Sequence, residues 1–108
     1  MASLSNYLRT HRKRLTLSQE EAAFLIGVNG MNKGIKVSRD ESSARKPNLE
    51  TALAYEVVYG TPVRELFAGL YEQAERKVAE RAKILSFRKT RKPKLQEVLA
   101  SLVSKLTA

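Results

Sequence analysis

The chain has 108 residues, 43% of them hydrophobic, which suits one small domain with an appendage and is too short for a large multidomain enzyme. It has no cysteine and a single histidine, His11, so a disulfide frame, a thiolate nucleophile and a histidine-based metal site are not expected. Lys and Arg total 20 against 11 Asp and Glu, a formal charge of +9 that points to a polyanionic partner.

The charge is uneven: residues 1–69 carry 10 basic and 7 acidic side chains (net +3), and residues 70–108 carry 10 and 4 (net +6). The opening residues lack the basic-then-apolar order of a signal peptide, and no apolar run nears the roughly 20 residues of a bilayer span. The expectation is a cytoplasmic protein with no membrane partner and no cofactor.

A first helix is predicted from Ser5, as N-cap, to about Arg14, with Leu4, Leu8 and Leu15 inward and Tyr7 partly so. Arg9, Arg12, Lys13 and Arg14 then fall on the outer face and toward the C-terminal end, where the helix dipole favours cations. His11 reads as a surface residue of this helix. Ser18-Gln19-Glu20-Glu21 is a capping box that opens a second helix. Ala22, Ala23, Leu25 and Ile26 supply its inner face, and Gly27 ends it. Gln19, at the first helical position, is placed to hold a backbone phosphate.

Val28 to Lys36 is polar, basic and broken by Gly30 and Gly34. A third helix is predicted to begin between Asn32 and Ile35 and to end near Ser43, with Val37 inward and Lys36, Ser38 and Arg39 outward. Pro47 precedes a fourth helix capped by Asn48 and closed at Tyr59-Gly60. Its predicted inner face is Leu49, Ala52, Leu53, Val57 and Val58, completed by Tyr55 or Tyr59. Thr61 as cap and Pro62 at the first helical position start a fifth helix, and Leu66 and Phe67 close the core.

From Leu70 to about Phe87 a long helix is predicted, with a narrow, alanine-rich stripe of Leu70, Ala74, Val78, Ala82 and Leu85. Arg88, Lys89, Arg91, Lys92 and Lys94 follow with no acidic residue among them. They read either as a solvated linker around Pro93 or as a basic arm adding phosphate contacts. In the last predicted helix, Leu95 to about Leu106, the residues Leu95, Leu99, Leu102 and Leu106 make a short coiled-coil seam. So short a helix is not stable alone, so this face either folds back or pairs with another chain as a dimer contact.

Taken in order, Leu8-Arg9, Leu17-Ser18-Gln19-Glu20-Glu21-Ala22-Ala23, Ile26-Gly27-Val28, Val37-Ser38-Arg39 with Glu41, Arg45-Lys46-Pro47, Leu49-Glu50-Thr51-Ala52-Leu53 and Gly60-Thr61-Pro62-Val63 before Glu65-Leu66-Phe67 resemble the Cro/repressor-type (XRE) helix-turn-helix family. The likeness runs over residues 7–67. It implies an all-α fold with a compact five-helix DNA-binding domain, here residues 1–69; outside the likeness, residues 70–108 read as a basic helical extension that either folds back or serves as an oligomerisation segment. It implies that Gln19 contacts phosphate, and that Arg45 and Lys46 lie in a phosphate-gripping loop; Lys33 of the basic turn joins them. Lys36 and Arg39, with Ile35 and the backbone near Gly34, fall where family members read base edges, and Ser38 shares that outward side.

Three departures stand out. The turn before the third helix is longer than in a standard member. Asp40 stands where the family places an apolar or aromatic residue; because a buried unpaired carboxylate is costly, Asp40 is expected to be exposed, paired or in a shifted register. Ser43 replaces a common glycine.

The function expected is a sequence-specific regulator of double-stranded DNA, a repressor acting as a homodimer on the nucleoid, with Arg39 bonding bidentately to guanine in the major groove. The alternative is a protein-interaction module on the same fold, such as an antitoxin or anti-activator, binding a protein partner through the apolar tail. No paired-carboxylate, nucleophile–base or Walker-type constellation is present, so an enzyme is not expected.

Overall fold

Several helix starts in this chain are set by side chains that satisfy amides with no partner inside the helix. The computed structural model describes residues 4–28, 30, 32–88 and 92–106. Among these residues the regular structure is all helical: α1 Leu8–Arg14, α2 Gln19–Leu25, α3 Lys33–Glu41, α4 Leu49–Tyr59, α5 Val63–Leu66, α6 Ala68–Ser86 and α7 Pro93–Ser104. None of them is long and apolar enough to cross a membrane. The chain divides into two units, Met1–Gly69 and Leu70–Ala108.

The Ser18 capping box forms in full: the Ser18 hydroxyl accepts from the Glu21 amide at 3.0 Å, and Glu21 Oε1 accepts from the Ser18 amide at 2.9 Å. These bonds, the backbone one foremost, hold the Glu21 carboxyl below its ordinary pKa. Asn48 caps α4 by accepting from the Thr51 amide at 2.9 Å, and Gly60 ends it in the left-handed region at φ +61°. Two starts differ from expectation. Ser5 does not cap α1; the helix begins at Leu8, whose amide bonds to Asn6 Oδ1 at 3.2 Å. Thr61 does not cap α5; Glu56, from the preceding helix, accepts from the Val63 amide at 2.8 Å.

The first unit closes on itself through its ends. Tyr7 donates its amide to the Leu66 carbonyl at 2.7 Å, and Gly69 donates to Leu4 at 2.9 Å. A Cβ on Gly69 would stand 2.5 Å from the Leu4 carbonyl oxygen, so only glycine lets these two backbones meet. The core holds Leu8, Ala22, Ala23, Ile26, Val37, Ala52 and Leu66. Small alanines let the helices approach, and aromatic rings fill the remaining volume. Tyr55 stacks on Tyr59 at 5.9 Å, Tyr59 on His11 at 6.1 Å, and Phe67 meets Tyr55 edge-on. His11 is therefore half-buried against a ring, not a plain surface residue.

Several expected inner faces are turned out. Leu4, Leu15 and Leu25 are exposed. On α4, Leu49, Leu53 and Val57 lie outside (Val57 is 82% exposed), while Ala52, Tyr55 and Tyr59 are buried. This helix is apolar almost all round, so periodicity alone does not choose its inner face. The two tyrosines settle it, because their rings fill more of the core than a leucine and a valine.

Tyr59 carries a cost. Its hydroxyl is buried without a hydrogen-bond partner, and burial, with the nearby Glu41 charge, pushes its pKa up to about 12. Burial and the Asp40 carboxylate raise Tyr55 further still. Raised phenol pKa values mean that the unfolded chain releases these protons first as pH climbs. Their contribution is fully present below about pH 10 and is lost above it, by at most ~1.4 kcal/mol per pH unit per tyrosine. Tyr59→Phe is expected to match or exceed the parent by up to ~1 kcal/mol at neutral pH and to flatten the alkaline fall. Urea unfolding between pH 7 and 11 checks both; an equally steep alkaline fall in the variant would remove Tyr59 as its source.

In the second unit α7 runs back along α6. Lys105 Nζ meets Glu75 Oε2 at 3.1 Å. Ala79 and Ala82, on the same side of α6 as Glu75, are buried, as is Leu99 of α7. The covered face of α6 therefore differs from the expected stripe, in which Ala74, Val78 and Leu85 prove exposed.

Candidate nucleic-acid interface

The N-terminal part of α3 lies close on α2. At Gly34 an added Cβ would come within 3.2 Å of Glu20 Cγ, so this helix pair leaves little room for a side chain there. The link between them passes through left-handed residues at Gly27 (φ +81°), Gly30 (φ +102°) and Asn32 (φ +59°), which turns the chain back before α3. Val37 and Asp40, three residues apart, are buried on one side of α3. The opposite side presents Ile35, Arg39 and Ser42, spaced four and three residues apart and all exposed. Lys36 and Ser38 flank this face and are half-buried.

Two buried ion clusters fix α3 from behind. In the first, Arg12 of α1 holds Glu41 with two bonds, Nε to Oε2 at 2.6 Å and Nη2 to Oε1 at 3.2 Å, and Nη1 donates to the Leu17 carbonyl at 2.8 Å. Gln19 Nε2 adds a bond to Glu41 Oε1 at 3.2 Å. Three helices thus converge on one carboxylate, whose hydrogen bond raises the Arg12 pKa further above its ordinary value. Arg12 is only 9% exposed and does not lie on the outer face the sequence suggested. The signal was present: Arg12 is four residues from the inward Leu8, on the same side of the helix.

The second cluster answers the question Asp40 raised. It is 1% exposed and fully paired. Arg45 reaches it with Nε to Oδ1 at 2.7 Å and Nη2 to Oδ2 at 2.8 Å, and the Tyr55 hydroxyl donates to Oδ2 at 2.7 Å. The Asp40 bond raises the Arg45 pKa. Asn6 Nδ2 donates to the Asp40 carbonyl at 3.0 Å and to Ser43 Oγ at 3.2 Å. Ser43 itself takes the left-handed conformation at φ +65°, the geometry a glycine would adopt without strain.

The residues singled out from sequence are therefore distributed as follows. Ile35 and Arg39 share the exposed face of α3, with Lys36 and Ser38 beside them. Gln19 and Arg45, proposed for phosphate, are half-buried and bonded to Glu41 and Asp40. Lys33 sits over the Phe24 ring at 5.9 Å from its centre, a cation–π contact, and Lys46 is exposed. A cleft of about 260 Å³ opens where α1, α2 and α3 meet, lined by Arg9, Arg12, Gln19, Ser38, Glu41 and Ser42. Arg9 adds an exposed cation there that the sequence did not single out for a role.

In the second unit Arg88, Lys92 and Lys94 are exposed, while Lys89 and Arg91 lie outside the described residues. Of the leucine seam, Leu99 is buried, Leu95 and Leu102 are half-buried and Leu106 is exposed. No family model, no curated protein and no solved structure matches this chain.

Proposed function

We propose that the protein is a sequence-specific DNA-binding regulator, a repressor of the helix-turn-helix (XRE) type, that lays α3 in the major groove. One observation carries the reading: α3 is held from behind by Val37, Asp40 and Glu41 and offers Ile35, Arg39 and Ser42 on a free outer face. In this assignment Arg39 bonds a guanine edge, Ile35 meets a thymine methyl, and Lys36 and Ser38 contact base or phosphate. Lys33 and Lys46 neutralise phosphates, and Gln19 and Arg45 contribute amide and guanidinium hydrogens beyond those given to Glu41 and Asp40. A head of this size buries little DNA surface, so the reading includes a homodimer on a two-fold site, acting on the nucleoid.

Selection from a random duplex pool at ~150 mM salt, where weak phosphate binding is suppressed, tests it. The expected result is a palindromic consensus whose half-site spacing reports the dimer. Arg39→Ala is expected to weaken binding to that consensus by ~1–3 kcal/mol and to leave binding to unrelated DNA nearly unchanged. Equal loss on both DNAs would refute base reading by Arg39.

A second reading, a protein-interaction module on the same fold, is favoured by the uncovered apolar stripe Leu49–Leu53–Val57 on α4. A folded, soluble protein that enriches no motif in the selection would support it.

A further inference from the structure

The cleft where α1, α2 and α3 meet is lined by polar residues throughout: Arg9, Arg12, Gln19, Ser38, Glu41 and Ser42, around about 260 Å³. Glu41 is the one carboxylate among them. Both of its oxygens already accept hydrogen bonds, Oε2 from Arg12 and Oε1 from Arg12 and Gln19. Its charge is cancelled by Arg12 at 2.6 Å. Arg9 stands exposed and enters no ion pair among the described residues. It leaves the cleft with one positive charge over.

The donors are not used up. Each terminal nitrogen of a guanidinium, and the nitrogen of a glutamine amide, carries two hydrogens. Arg12 gives one from Nη1, to the Leu17 carbonyl, and one from Nη2, to Glu41; Gln19 Nε2 gives one to Glu41. One N–H therefore remains on each of these three nitrogens. Arg12 is buried, where an N–H without an acceptor is costly. A solvated surface charge accounts for Arg9 alone and leaves the uncommitted hydrogens beside it unexplained.

We propose that this cleft is a phosphate socket. Arg9 supplies the net charge, Arg12 Nη1 and Nη2 and Gln19 Nε2 bond the phosphate oxygens, and the Ser38 and Ser42 hydroxyls approach from α3. Donors that converge from three helices suit a tetrahedral group with three free oxygens better than a planar carboxylate with two. Ser42 also belongs to the exposed outer face of α3. The phosphate is therefore either that of a duplex backbone lying along this face or that of a free phosphate ester, which would compete with the backbone for the same place. The socket needs no base reading by α3.

The full chain is titrated with inorganic phosphate, and separately with acetate, at constant ionic strength, while NMR follows the Arg12 Nε–H and Gln19 side-chain amide signals. Saturable shifts are expected with phosphate and none with acetate. Arg9→Gln, at an exposed position, is expected to weaken phosphate binding roughly tenfold, and Arg64→Gln, exposed on α5, to leave it unchanged. No saturable shift, or equal affinity in the Arg9 variant, overturns the proposal. Random-sequence duplex DNA and the Arg39→Ala chain then separate the two sources. A slope of log K against log salt that falls by roughly 1 on adding Arg9→Gln assigns the socket to the DNA backbone. An unchanged slope, with the phosphate shifts intact, assigns it to a free phosphate ester. A chain that binds phosphate but no duplex of any sequence removes the DNA-binding reading and leaves the socket standing.

Discussion

Glu41→Ala is expected to destabilise the first unit by ~3–5 kcal/mol, the range for removing one partner of a buried ion pair. The Arg12 and Glu41 side chains are 11% and 5% exposed, so water does not replace the lost bonds. Arg12 would keep its bond to the Leu17 carbonyl but lose both carboxylate bonds, and Gln19 would lose its acceptor. An uncompensated guanidinium inside the head accounts for most of the cost. Glu41→Gln, which keeps an acceptor oxygen and the shape but not the charge, is expected to fall between parent and alanine variant. Denaturant unfolding gives the free energies, and for a domain of this size each kcal/mol lowers Tm by roughly 4–8 °C. A loss under ~1 kcal/mol for the alanine variant would show that the pair behaves like a solvated surface bridge.

Asp40→Ala is expected to cost ~2–4 kcal/mol, for a related but separable reason. The Asp40 side chain is wholly buried, whereas that of Arg45 keeps 35% of its surface and can turn to water. The penalty therefore falls mainly on the Tyr55 hydroxyl, left inside with no acceptor, and on the space the carboxylate filled. This predicts a rescue. Asp40→Leu combined with Tyr55→Phe removes the buried acceptor and the buried donor together and fills the site with apolar volume, so the double variant should recover most of the loss. A double-mutant cycle reads the result, with a coupling of ~0.5–3 kcal/mol expected between the two positions. Strict additivity would assign the cost to packing and not to unpaired polar groups.

Both clusters bear on the proposed function. They contribute nothing to the outer face of α3 directly, yet they set how that helix lies against α1, α2 and α4. Mutations behind the helix should therefore reduce the population able to bind DNA, while Arg39→Ala should leave folding intact and change only the preference among sequences.

The legible part of this protein is its local chemistry. The all-helical character, the Ser18–Glu21 box, the Asn48 cap and the left-handed Gly60 follow from side chains acting on amides two or three residues away, and such short-range geometry needs no fold to complete it. The inward Val37 and the outward Arg39 follow equally from helical spacing. What only the tertiary structure decided are the choices between chemically equivalent faces and partners. α4 is apolar almost all round, and the ring stack of Tyr55 and Tyr59 selects which side is buried. Arg12 turns inward because its carboxylate partner comes from a helix 29 residues later. Asp40 is tolerated in the core because Arg45 and Tyr55 arrive from two different elements. In each case the deciding energy is burial or charge pairing between groups distant in sequence, and neither term has a value until the chain has brought those groups together.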